Sequence, residues 1–231
     1  MYKVVLNTTY KGVDIVRKLF QKAMDPISSE THFIGACLSF IGLLIMIFIG
    51  IQKDTSPAVL CAGIIFGISL IALYSASSIY HFFSGSQRIK TILRKLDHSM
   101  IYVLIVGTYT PVVIACMPAP HSYYFLAVLW SVAIIGIILK IYWLNAPRVV
   151  ATAIYLILGW SILFDFQSFR GIPLPCLFLI ACGGIAYSIG AFIYIFKKPN
   201  LTKDFGFHEL FHIFVIMGSV FHYLAIVIFI L

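Results

Sequence analysis

Charge is scarce in this chain. Only 8 of its 231 residues are Asp or Glu and 16 are Lys or Arg, together 10%, against about 25% in an ordinary soluble domain. Apolar residues make up 61%, more than a single water-soluble core absorbs, so there is no room for a separate soluble domain. The net charge is +8, yet the cations are scattered in short segments between apolar runs and form no stripe that would track a phosphate backbone. Nucleic acid is therefore excluded as a partner. Paired cysteines are missing as well. Cys37, Cys61, Cys116, Cys176 and Cys182 sit inside apolar stretches without a CxxC pair, and read as small buried hydrophobes. The first 30 residues carry five Lys or Arg and no long apolar run, so no cleavable signal peptide is expected.

What the chain has in quantity is long apolar runs. They fall at about residues 32–51, 57–83, 98–116, 122–144, 149–169, 173–196 and 209–231, each long enough to cross a hydrocarbon slab about 30 Å thick. The runs lack the period-2 alternation of a barrel, and the backbone's own polar groups then require helices in lipid. The fold class expected is an all-α integral membrane protein, a seven-transmembrane helix bundle of the cell membrane. Residues 1–30 form an N-terminal segment and residues 31–231 a single transmembrane domain. The fourth and fifth spans are the least sharply separated, because their connection is short and Lys140 lies near one end.

The cations set the orientation. Lys3, Lys11, Arg17, Lys18 and Lys22 precede the first span. Arg88, Lys90, Arg94 and Lys95 follow the second, Lys140 and Arg148 flank the fourth connection, and Lys197, Lys198 and Lys203 the sixth. That puts fourteen on one side against Lys53 and Arg170 on the other, which predicts a cytosolic N-terminus and an extracytoplasmic C-terminus.

Ionisable side chains within such spans cost about 2.5–3.5 kcal/mol near the centre and invite a functional explanation. Here they are Glu30, His32, His81, Asp97, His98, Asp165, His208, Glu209, His212 and His222. His208 and His212 are spaced i, i+4, which puts both rings on one helix face, as two ligands of one metal or as an interfacial polar cap. Topology favours the metal. His81 ends the second span, Asp97 opens the third, and His208 and His212 open the seventh, all at the same side of the membrane. Ser77 shares the helix face of His81, either for chemistry or to bond a carbonyl of its own helix. Asp97 reads equally as a helix N-cap. His222 lies about 20 Å deeper than His208, too far to share its metal, and is expected to bond a neighbouring helix. Glu30 and His32 suit capping or support of the site, and Asp165 an interfacial position. Gly35, Gly42, Gly183, Gly184 and Gly190 are expected to permit close helix approach.

The segments carrying these residues resemble the hemolysin III family, within the progestin and adipoQ receptor group that includes the adiponectin receptors. The carriers are SSIYH (Ser77–His81), LDHSMIYVLIVGTYTP (Leu96–Pro111) and HELFHIFVIMGSVFH (His208–His222). The resemblance implies a seven-span, N-inside bundle with zinc inside the cytosolic leaflet. Its ligands would be His81, His208 and His212, with Asp97 and Ser77 beside the zinc-bound water. Two departures are visible: Ser28 where the family usually has Asn, and Phe211 where a tryptophan is common. Three protein ligands plus water is the catalytic style of zinc site. The function expected is a zinc-dependent lipid amide or ester hydrolase, ceramidase-like, acting on membrane lipids. The alternatives are a non-enzymatic, zinc-braced sensor or regulator of membrane lipid state, and a membrane-perturbing cytolysin. No serine or cysteine nucleophile with a paired base is evident, so a covalent mechanism is not favoured.

Overall fold

The computed structural model describes residues 19–169, 171–202 and 205–231. Lys3, Lys11, Arg17, Lys18, Arg170 and Lys203 of the charge count lie outside these residues.

Among the described residues seven α-helices follow in chain order: α1 (Pro26–Gln52), α2 (Pro57–Phe82), α3 (Gln87–Cys116), α4 (His121–Tyr142), α5 (Arg148–Gly159), α6 (Leu174–Phe196) and α7 (Phe207–Phe229). α5 continues as a 3-10 helix over Ser161–Phe169, so each of the seven spans is long and apolar enough to cross a membrane. Among the described residues there is no strand. The chain is a multi-pass integral membrane protein, and large apolar side chains such as Phe48, Ile68 and Phe192 face outward, where lipid replaces a protein core.

Local chemistry marks the helix ends. Pro26 and Pro57 each occupy the first turn of their helix, where a missing N–H costs nothing. Ser56 caps α2 by accepting from the Val59 N–H. At the start of α7, the Glu209 side chain accepts from the Gly206 N–H at 2.8 Å. α5 gives way after Gly159, and Asp165 has non-helical dihedrals (φ −142°, ψ 46°) within the 3-10 segment, which makes the fifth span the least regular.

α3 departs from expectation. It begins at Gln87, about ten residues before the apolar run, with Ser86 at the N-cap position. At 1.5 Å per residue its 30 residues span about 45 Å, so its charged first turns extend past the hydrocarbon. Asp97 therefore lies inside the helix and caps nothing.

α2 is the central element, packed between α1 and α3, and α6 pairs with α7 along their lengths. α5 is only loosely held by its neighbours. Small residues set the tight crossings. A Cβ on Gly183 would lie 2.2 Å from the His222 ring, and one on Gly107 would lie 2.4 Å from Ser69 Oγ. The five cysteines are free, but only Cys176 is buried as expected, while Cys37 and Cys61 face outward where lipid would meet them.

Candidate metal centre

The end of α2 and the start of α7 meet at the end of the bundle that carries Arg88 to Lys95 and Lys140 to Arg148. His81 occupies the last turn of α2, and His208 and His212 stand one turn apart at the start of α7. Their nitrogen donors all lie within 4.8 Å of one another. His81 and His212 are buried and His208 is half-buried.

A charge partner sets the tautomer of His81. Asp25, the residue before Pro26, places Oδ2 2.9 Å from His81 Nδ1. The carboxylate accepts the Nδ1 proton, which leaves Nε2 as a bare lone pair. That hydrogen bond holds the Asp25 carboxyl below the usual carboxylate range, against the opposing pull of partial burial. Asp25 consequently makes no side-chain cap on its own helix. Its backbone N–H also donates to the His81 carbonyl at 3.0 Å, so the chain entering α1 is pinned to the end of α2.

His81 Nε2 points at His208 Nε2, 3.3 Å away. Two ligands held about 2.05 Å from a tetrahedral ion stand about 3.3 Å apart, so this pair fits one metal ion. His212 Nδ1 is buried with no hydrogen-bond partner among the described residues. A set of three imidazoles, without thiolate or carboxylate, fits a borderline divalent ion such as zinc, copper, nickel or iron rather than magnesium or calcium.

Two further residues support the cluster, and only one of them, His32, had been given such a role from the sequence. His32 lies flat on His212, with ring centroids 3.8 Å apart and planes 13° apart, and both of its nitrogens are buried without partners. The sequence suggested capping or support for His32 but not this stack. Asp25 carried no signal at all, being a polar residue before a proline like many helix starts. Ser28 is buried and donates to Glu209 Oε1 at 3.1 Å, so a departure from the family pattern sits at the contact between α1 and α7.

Asp97 and Ser77 stand beside the histidines but outside the converging donor set. Both line a cavity of about 400 Å³, as do His32, His208 and His212. Away from that polar end the cavity runs between α3, α5, α6 and α7, past Leu73, Val112 and Leu177, and reaches His222. His222 is packed on Tyr187, but its Nδ1 donates to Gly218 O of its own helix at 2.8 Å, not to a neighbouring helix. His98, although next in sequence, brings Nε2 to 4.0 Å from Asp97 Oδ2 and joins no metal set. Asp165 pairs with His121 at the opposite end of the bundle.

Comparison with known proteins places these residues in context. A family described as "Haemolysin-III related" matches residues 20–223. The chain is 33% identical over 202 residues to "Hemolysin-3" of Bacillus cereus, covering 87% of this chain and 89% of that one. It is 34% identical over 193 residues to the "Hemolysin-3 homolog" of Bacillus subtilis, covering 82% and 86%. It is also 28% identical over 169 residues to the human "Monocyte to macrophage differentiation factor", covering 70% and 67%.

Proposed function

Since the chain belongs to the Haemolysin-III related family, we propose that its three-histidine cluster holds zinc and that the adjoining cavity presents a membrane lipid for amide or ester hydrolysis. The observation that carries this reading is the 3.3 Å approach of two imidazole Nε2 atoms, beside a cavity that also holds a carboxylate and a hydroxyl. Three protein donors leave a fourth position open, as catalytic zinc sites do.

A bound zinc ion would supply Lewis acidity and make a coordinated water acidic near neutral pH. The protein's own groups do the rest. Asp97 takes a proton from the attacking water and passes it to the leaving amine or alcohol. The Ser77 hydroxyl donates a hydrogen bond to the substrate oxygen as negative charge builds on it. Asp25 keeps His81 in the tautomer that offers Nε2. The apolar length of the cavity receives the acyl chain. The basic end of the bundle faces the cytosol, so the substrate enters from the inner leaflet.

A second reading has the metal brace the helices while the protein senses lipid state without turnover. It is favoured by the ties from Asp25 to His81 and from Ser28 to Glu209, which gather α1, α2 and α7 at the cluster.

Metal content and lipid turnover of the purified protein in nanodiscs separate these readings. About one zinc per chain and fatty-acid release from an amide- or ester-linked lipid are expected. His212→Ala should lose both, and Asp97→Asn should keep the metal and lose turnover. Zinc present without turnover on a broad lipid panel leaves only the bracing role, and wild-type protein that binds no zinc ends both readings.

A further inference from the structure

Among the described residues three cations line the cavity that the histidine cluster opens into: Arg94 of α3, Lys140 of α4 and Arg148 of α5. Lys140 is the least expected. A lysine near the end of a membrane helix ordinarily snorkels outward, with its ammonium in the headgroup region. Lys140 instead follows Leu129, Ala133 and Gly136 on the inward face of α4 and is only 6% exposed.

No described carboxylate lies within salt-bridge distance of any of the three. The Lys140 ammonium has no hydrogen-bond acceptor among the described residues. Arg94 reaches only Asn145 Oδ1, at 3.5 Å, and Arg148 rests over the Tyr194 ring, 4.9 Å from its centroid. Asp97 is the one acidic residue among the described residues lining the cavity. It faces Arg94, Ser77 and His98, so it cannot neutralise the other two cations. The Tyr194 ring under Arg148 lies 6.0 Å from that of His208, so one aromatic ring separates this cation from the histidine cluster.

We propose that Lys140, Arg94 and Arg148 form an anion subsite at the basic end of the cavity, so that the amphiphile it accepts carries an anionic head group such as a phosphate. This deepens the reading of the cavity as a lipid site, and it does not require the metal. The cations hold the head near the membrane surface, and the apolar length of the cavity takes the chain. The bond to be cleaved then lies between them, beside Asp97, Ser77 and His212. Two arginines and a lysine suit a head group with several charged oxygens, since the guanidinium fork can engage two of them at once. Inorganic phosphate offers the same oxygens without a chain, so the source of the anion is itself testable.

Equilibrium binding to the full chain in nanodiscs of zwitterionic lipid tests the subsite. The probes are radiolabelled oleoyl lysophosphatidate, monooleoylglycerol with the same chain and no phosphate, and inorganic phosphate as competitor. Wild-type protein should bind the lysophosphatidate at least tenfold more tightly than the glyceride. Lys140→Met should erase that preference while zinc content stays at the wild-type level, and Lys140→Arg should keep it. Arg148→Gln, at an exposed position, should weaken it severalfold and guards against misfolding of the buried variant. Millimolar phosphate that displaces the lysophosphatidate would make the free anion the ligand and overturn the lipid assignment. Equal binding of both amphiphiles, or a preference that survives both Lys140→Met and Arg148→Gln, would overturn the subsite. His212→Ala separates the two ideas: loss of zinc with the preference intact supports the subsite alone.

Discussion

Removing the charge of Asp25 while keeping its shape should weaken zinc binding. In Asp25→Asn the amide oxygen can still accept from His81 Nδ1, but the negative charge that strengthens Nε2 as a donor is gone. Loss of such a ligand-orienting carboxylate typically costs 10–100-fold in metal affinity. The Asp25 side chain is 42% exposed, so water screens part of its charge and the lower figure applies, about tenfold or about 1.4 kcal/mol. Asp25→Ala removes the acceptor as well and should fall between about tenfold and about 100-fold. Competition against a chelator of known affinity, with zinc quantified by elemental analysis, reads both variants. The pH dependence follows from the Asp25 carboxyl being held low by His81. A carboxyl with a depressed pKa contributes fully above its ordinary range, and loses that contribution only as pH falls through the depressed value. Between about pH 8 and 5 the ratio of wild-type to Asp25→Asn affinity should therefore stay constant. Wild-type affinity within twofold in both variants would show that Asp25 only fastens the chain to α2.

His32→Phe keeps a flat ring against His212 and removes two buried, unpaired nitrogens, so thermal stability should hold or rise with zinc content unchanged. Zinc loss in that variant would make His32 a participant in the site. Gly183→Ala forces a Cβ into the His222 ring and should cost about 1–3 kcal/mol in thermal or denaturant unfolding, whereas Gly159→Ala meets nothing within 4 Å and should stay within about 0.5 kcal/mol. Similar losses in the two variants would remove the packing argument. A reporter fused after Leu231, whose carbonyl accepts from Thr55 at the end opposite the histidines, should be active only outside the cytosol. Cytosolic activity would invert the orientation drawn from the cations.

Much of the bundle was legible because lipid makes length and apolarity nearly sufficient evidence for a helix. The seven apolar runs foreshadow the seven helices, and the tight crossing at Gly183 matches its assignment to close approach. The start of α3 was missed because Gln87 to Leu96 is too charged to count as an apolar run, although Ile89, Ile92, Leu93 and Leu96 fall at helical spacing. The i, i+4 spacing put His208 and His212 on one face, and alternation of the spans brought His81 to the same end. Asp25 escaped because its partner lies 56 residues away and only the packing of α1 against α2 joins them. Lys140 was legible as a topology signal but not as an inward-facing charge, because α4 is apolar on every side and periodicity gives no preferred face.

Electrostatics explains why a dication would be tolerated at this place rather than at mid-span. Three imidazoles bring no charge of their own, so the full charge of the ion must be offset nearby in a medium that screens poorly. His81 sits at the C-terminal end of α2, where the free carbonyls favour a cation. The start of α7 disfavours one, but Glu209 occupies that first turn and accepts the exposed Gly206 N–H. Asp25 touches one ligand directly and Asp97 faces the cavity beside the others. Three carboxylates thus surround the cluster, while Arg94, Lys140 and Arg148 line the cavity that adjoins it. Negative charge lies around the three histidines and positive charge along the adjoining cavity, an arrangement that would suit the proposed cation and anionic amphiphile side by side.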